Sequence, residues 1–409
     1  MAPCREDLLA IYRAALAAVE GRAAVAAFLR DHDLPGPVYV VAIGKAAASM
    51  ARGAHERLGE RIAGGLVITR HGYGQGVGRA CPRFGLIEAG HPVPDEGSLE
   101  AGRRLLSFLR RVPDGGVLLF LMSGGASSLV EVLPGGVALS DLQRANDWLL
   151  GSGLPIAQVN TVRRALSRIK GGRLAAFLPG CPVWNLLISD VPGDDPAVIG
   201  SGLLAAGARA PLPEGLPPWL ARLVAERAAD PAAGTRSPGI HTAIVANAAM
   251  ARQAAAREAR ARGYAVRPHD REVVGDVLSV AREMAQCLRL QPRVLHIWGG
   301  EATVRLPDEP GLGGRCQHLA LYMACLLQKA GIEDFGFLAA GTDGSDGPGD
   351  RAGALTDGGT LSRGRRAGLE AEDCLRRADA GRFLQAAGDV LHTGATGTNV
   401  MDLMLGVIE

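Results

Sequence analysis

The sequence predicts a two-domain α/β protein with doubly wound layers, and three observations carry that expectation. The chain has 409 residues, more than one hydrophobic core usually serves. Its composition is 47% apolar but only 4% aromatic, the mark of Ala-, Val-, Leu- and Gly-rich packing. Apolar runs that stop abruptly in small or polar residues alternate with stretches of helical periodicity, as strands and helices do in layered α/β folds.

The runs VYVVAIGK, VLLFLMSGG, VWNLLISD and FGFLAAGTDG each read as a buried parallel strand delivering a loop at its carboxyl end, and VLHIWGGE repeats the pattern at Val294–Glu301. Between them, helical patterns run over Leu99–Arg111, Ser140–Leu150, Thr161–Phe177, Ala248–Arg262, Val273–Leu288 and His318–Lys329. Ser140 and Gln143 have the spacing of a capping box. Leu8, Leu9, Ile11, Tyr12, Ala15 and Val19 form the apolar stripe of an amphipathic N-terminal helix. The proline-rich stretch Ala208–Gly239 is the weakest in pattern, so the junction falls there and the domains are expected at 1–235 and 236–409.

Several classes of function are disfavoured. A formal charge of +2, without Lys/Arg blocks interleaved with aromatics, gives no footprint for nucleic acid. Charges at Arg5, Glu6, Asp7, Arg13, Glu20 and Arg22 interrupt the first apolar stretch, which argues against a signal peptide or membrane span. The seven cysteines lie scattered with neither CxxC pairs nor zinc spacing, as expected of reduced thiols in the cytoplasm. The sequence does not fix an oligomeric state, and a homodimer is compatible with it.

Arginine so dominates the 44 basic residues that only Lys45, Lys170 and Lys329 are lysine. A compact ammonium and a planar guanidinium are not interchangeable beside a phosphoryl group, so a retained lysine draws attention. Lys45 follows Gly44 at the end of an apolar run and opens a helix, where dipole and charge together favour an anion. In Ser123–Ser128, SGGASS, the glycines allow backbone amides to approach an oxyanion. Neither stretch is a Walker A loop, and no GxGxxG follows a strand. Asp190, Asp194 and Asp195 cluster after one run, and Asp343, Asp346 and Asp350 after another. Such carboxylates on glycine-rich loops suit magnesium, while turn formation is the plainer account of them. Arg315, at the glycine-rich helix entrance GGRCQH, could grip a carboxylate with both prongs.

Together, VAIGKAAASM, GLVITRHGYG, EAGHPVPDEGSLEAG, LMSGGASSL, NTVRRALSRIKGGRLA, ISDVPGDDPAVIGSG, WGGEATV, GGRCQH, AAGTDGSDGP and HTGATGTNVMDL resemble the type II glycerate 2-kinase family, whose C-terminal part is called MOFRL. The resemblance runs from about Val38 onward. It implies an N-terminal Rossmann-like domain, a smaller mixed-sheet domain and a site in the cleft between them. It implies ATP-dependent phosphorylation of D-glycerate at its 2-hydroxyl, with Mg2+ as the divalent cation. By the same resemblance Lys45, Asp190 and Arg315 are catalytic. Ser123, Gly124, Gly125, Ala126, Ser127, Asn247 and Glu301 contact substrate or phosphate, and Asp343 and Asp346 hold the metal. Cys316 and His318 stand where the family pattern has an amide and a carboxylate, Ala395 replaces a proline, and Ala165 a histidine. Two rival functions stay open: an NAD(P)H-dependent hydroxypyruvate reductase, a label such proteins have carried, and a non-catalytic paralogue that binds a sugar acid or nucleotide.

Overall fold

The computed structural model describes residues 5–154, 156–207, 211–225 and 239–409. They form two compact units: Gly21–Val245, and the residues up to Glu20 together with Ala246–Glu409.

The first unit is built on strands β1 (Val38–Ile43), β2 (Ile62–Arg70), β3 (Phe84–Ala89), β4 (Val117–Met122), β5 (Val183–Ile188) and β6 (Ile240–Ala246), ordered β3-β2-β1-β4-β5-β6. From β3 to β5 every neighbouring pair is parallel. The chain winds outward from β1 to β3 and then returns to lay β4 against the other side of β1. Doubly wound sheets of this order bind ligands at such a reversal, beyond the carboxyl ends of the strands. Ile43 is level with Met122 in the β1–β4 register, so the turns that follow emerge side by side. Val41, Ile43, Leu118 and Phe120 are fully buried, each such side chain worth roughly 1.5–3 kcal/mol. The helix Glu96–Leu109 covers the sheet with Ala101 and Leu105 and starts from a capping box between Asp95 and Ser98. A smaller apolar cluster joins the helices Leu139–Gly151, Ile156–Ala165 and Pro218–Ala225 through Leu142, Leu149, Val162 and Leu220.

The second unit has β7 (Ala265–Pro268), β8 (Val273–Asp276), β9 (Val294–Thr303), β10 (Phe335–Gly341), β11 (Gly353–Asp357), β12 (Val390–Leu391) and β13 (Asp402–Ile408), ordered β12-β11-β10-β13-β9-β7 with β8 also on β9. The sheet is mixed. Contrary to the sequence-based expectation, β10 is antiparallel to both β11 and β13. Burial on both faces makes a strand read as one apolar run whatever the direction of its neighbours.

Other elements differ in their limits. The helix expected over Thr161–Phe177 ends at Ala165; Ser167 Oγ then accepts from Ile169 N and Lys170 N at 3.2 Å each, and Gly171 and Gly172 take left-handed φ values of 66° and 83° before a 3-10 turn at Arg173–Phe177. Val273–Asp276 is a strand, and Asp276 then caps the helix Val277–Leu290. Asp141, not Gln143, reaches back to the amide before its helix, by accepting from Ala138 N at 2.9 Å. The linear division at 235/236 lies outside the described residues, and the N-terminal helix Arg5–Val19 packs with the second unit. Its buried stripe of Leu8, Ile11, Tyr12, Ala15 and Val19 meets the alanine-rich helix Ala248–Ala261, and the Tyr12 hydroxyl donates to Gly341 O at 2.8 Å.

Candidate active site

Two turns meet at the reversal in the first sheet. Lys45 N donates to Gly124 O at 2.9 Å, Ala46 N to the Ser123 hydroxyl at 3.0 Å, and Ala47 N to Gly44 O at 3.2 Å. Gly44 is required here, since its φ is 127° and a Cβ would lie 2.2 Å from Ser123 Oγ. The amides expected to receive an anion after β1 are therefore occupied, and fully buried Ser123 acts as a bracket between the turns. What Lys45 brings is its side-chain charge. The amides of Gly124, Gly125, Ala126 and Ser127 donate to no protein acceptor among the described residues. Gly125 is left-handed, with φ 85°, and a Cβ there would lie 2.9 Å from the His91 ring and 3.3 Å from Lys45 Cγ. Lys45, Gly125 and His91 are thus in mutual reach.

A cavity of about 210 Å³ opens at this place. Gly125, Ser127 and Asp190 line it, so the first unit brings three expected positions together. His91, Asn160, Arg163, Lys170 and Ser201 line it as well, and none had been singled out as a site residue. The Ser127 and Ser201 hydroxyls are 2.7 Å apart, and Ser201 Oγ donates to Asn160 Oδ1 at 3.4 Å. Lys170 forms a very short ion pair with Glu131, both buried.

In the second unit the helix Arg315–Lys329 begins at Gly314. Arg315 grips Asp402 through Nε at 2.6 Å and Nη2 at 3.0 Å, and Nη2 also donates to Glu301 at 2.6 Å. Burial works to lower the guanidinium pKa, but Asp402 and Glu301 outweigh it and raise the value. The two-pronged edge expected to hold a substrate carboxylate is thus committed to Asp402, and Glu301 is its second partner. Asp346 caps the same helix: Oδ1 accepts from Cys316 N at 2.9 Å, and Oδ2 from Gln317 N at 2.8 Å and Gln317 Nε2 at 2.9 Å. Burial, and Asp402 nearby, push its pKa up to about 6. Asn247 caps the helix Ala248–Ala261 by accepting from Met250 N at 2.9 Å. His318 is buried, which lowers its pKa against the opposing pull of Asp276.

Residues 7–211 match a family described as a domain of unknown function, DUF4147, and residues 294–402 match the MOFRL family. A D-glycerate 2-kinase of Thermotoga maritima is 36% identical over 400 residues, 91% of this chain and 90% of the relative. The chain belongs to the glycerate 2-kinase family. A crystal structure of glycerate kinase from Thermotoga maritima superposes with a TM-score of 0.83 at 32% identity, covering 99% of each chain. An Agrobacterium vitis protein provisionally named hydroxypyruvate reductase is 36% identical over 385 residues, covering 90% of this chain and 98% of its own length.

In this member of the glycerate 2-kinase family both expected magnesium ligands already accept local backbone amides. Both Asp346 oxygens receive amides of the helix start, and Asp343 Oδ1 accepts from Ser345 N at 2.8 Å. Among the described residues no group of three His, Cys, Asp or Glu side chains is placed to hold a metal ion. Asp402 was missed by sequence reasoning although a signal existed: a carboxylate opening the apolar run DLMLGVI must be buried and needs a partner.

Proposed function

We propose that this chain transfers the γ-phosphoryl group of ATP to the 2-hydroxyl of D-glycerate, giving 2-phosphoglycerate and ADP. The observation that carries the reading is the polar cavity at the strand ends, where Asp190 and the Gly125–Ser127 turn meet beside Lys45. Phosphoryl transfer asks for positioning and charge neutralisation more than for covalent help from the protein. Lys45 supplies positive charge to the transferring oxygens, and the amides of Gly124 to Ser127 supply donors. Asp190 orients the 2-hydroxyl and accepts its proton as the new O–P bond forms and the bond to the β-phosphate breaks. Magnesium enters on the nucleotide, as part of the substrate. The partners are small molecules, and a cytoplasmic setting is part of the proposal.

A second reading is favoured by one observation: the order of the first sheet is shared with dinucleotide-binding folds, so hydroxypyruvate reduction deserves a direct test. Against it, the turn after β1 lacks the three-glycine fingerprint, and its amides at Lys45, Ala46 and Ala47 are already bonded where a pyrophosphate would need them. ADP release from D-glycerate with MgATP is the expected activity. NADH oxidation by hydroxypyruvate without any ADP formation would overturn the kinase reading. Binding of D-glycerate with neither reaction would instead mark a non-catalytic paralogue.

A further inference from the structure

We infer that Arg163, in the first unit, is the residue that recognises the carboxylate of the substrate, an assignment that rests on the kinase reading above. Four observations lead to it.

The first is chemical. In a 2-hydroxy acid the hydroxyl and carboxylate sit on adjacent carbons, so the groups that handle them must line the same small space. Asp190 and Arg163 both line the 210 Å³ cavity, which lies below the usual range for larger ligands and suits a three-carbon acid better than a nucleotide.

The second is the state of the guanidinium. Arg163 Nε donates to Asn146 Oδ1 at 2.9 Å, and Asn146 is itself held by Nδ2 donating to Leu142 O at 3.1 Å. One edge of the fork is therefore fixed by a neutral amide. Among the described residues no carboxylate forms a salt bridge with Arg163, and burial lowers its pKa. A partly buried guanidinium without a counter-ion is completed by an anion from outside.

The third is that the cavity's lysine is already engaged. Of the lysines and arginines lining the cavity, Lys170 is neutralised by Glu131, which leaves Arg163. The last is that the Nε/Nη2 edge of Arg315, the obvious carboxylate grip in the sequence, is closed by Asp402.

The test is calorimetric titration of D-glycerate into the full chain, alongside kinetics with each substrate varied. Arg163→Gln should weaken D-glycerate binding about 100-fold and raise its KM similarly, with the KM for ATP within twofold. Arg163→Lys should fall between. The carboxamide analogue, glyceramide, should bind wild type and Arg163→Gln equally. Asn146→Asp keeps Arg163 but gives it an internal counter-ion, so it should weaken D-glycerate about tenfold even if Arg163→Gln fails to fold. Unchanged D-glycerate affinity in Arg163→Gln or Asn146→Asp, in an enzyme that turns over normally, overturns the assignment and leaves the kinase reading standing. Wild-type binding that depends on Arg163 without ADP release does the reverse. No binding of D-glycerate by wild type overturns both.

Discussion

Lys45 leaves a turn whose amides are all bonded, so its contribution must come from its side chain alone. Lys45→Ala should therefore lower kcat by orders of magnitude with little change in the urea midpoint, and Lys45→Arg should fail substantially, since a fork cannot take the place of a point charge. Turnover near that of wild type in either variant would remove Lys45 from the chemistry. Asp346 behaves differently. As a cap, Asp346→Ala should cost about 1–2 kcal/mol of stability in denaturant titration, while the magnesium concentration for half-maximal rate stays within twofold. A large rise in that concentration would restore Asp346 as a metal ligand. The scarcity of lysine made Lys45 legible, and it marked Lys170 equally, yet what Lys170 faces depends on Glu131, which lies far from it in sequence. Arg163 carried no signal at all, because arginine is common throughout this chain and only the cavity distinguishes it.

At the scale of elements, the apolar strands were the most legible features. Val38–Ile43, Val117–Met122, Val183–Ile188, Val294–Thr303 and Phe335–Gly341 all form where the runs predicted them. Strand direction was legible only in part: β1, β4 and β5 are parallel as expected and β10 is antiparallel, since a buried run carries no mark of its neighbour's polarity. The break after Ala165 was missed because the apolar pattern continues past it, while the Ser167 hydroxyl takes up the amides of Ile169 and Lys170. That break lets Lys170 turn inward to Glu131, and the resulting pair ties the stretch after the helix Ile156–Ala165 to the one after the turn that follows β4. Glu131→Gln should cost about 3–5 kcal/mol because it strands a buried ammonium. The double change Glu131→Leu with Lys170→Met should recover most of that loss. Equal losses in the single and double variants, read from urea unfolding, would show that the two charges act independently.

For the molecule as a whole, the buried histidines set the response to acid. Burial, with His269 adjacent, lowers the His296 pKa to about 4, and burial also lowers His269 and His318. A histidine depressed in the folded state binds its proton more readily when unfolded, so its stabilisation is intact above about 6.5 and is lost as pH falls toward the folded value. Asp346, raised to about 6, acts in the opposite sense, gaining stability as pH falls through that value. Three histidines oppose one carboxylate, so net stability should decline between about pH 6.5 and 4, and His296→Phe should flatten that decline in urea melts. An identical slope in the variant would assign the acid response elsewhere. The ordering of strands in the second sheet bears on synthesis. The strand Asp402–Ile408 is made after every other strand of that sheet, yet it lies between β10 and β9, and the helix Arg5–Val19 that packs on the same unit is made before all of them. During translation, the first unit can close while the ribosome is still at work, whereas the second must keep an early helix waiting and its sheet divided until the central strand emerges. A nascent chain stalled short of Asp402 would therefore present one finished unit and one with an open seam, which is the form chaperones and proteases would meet.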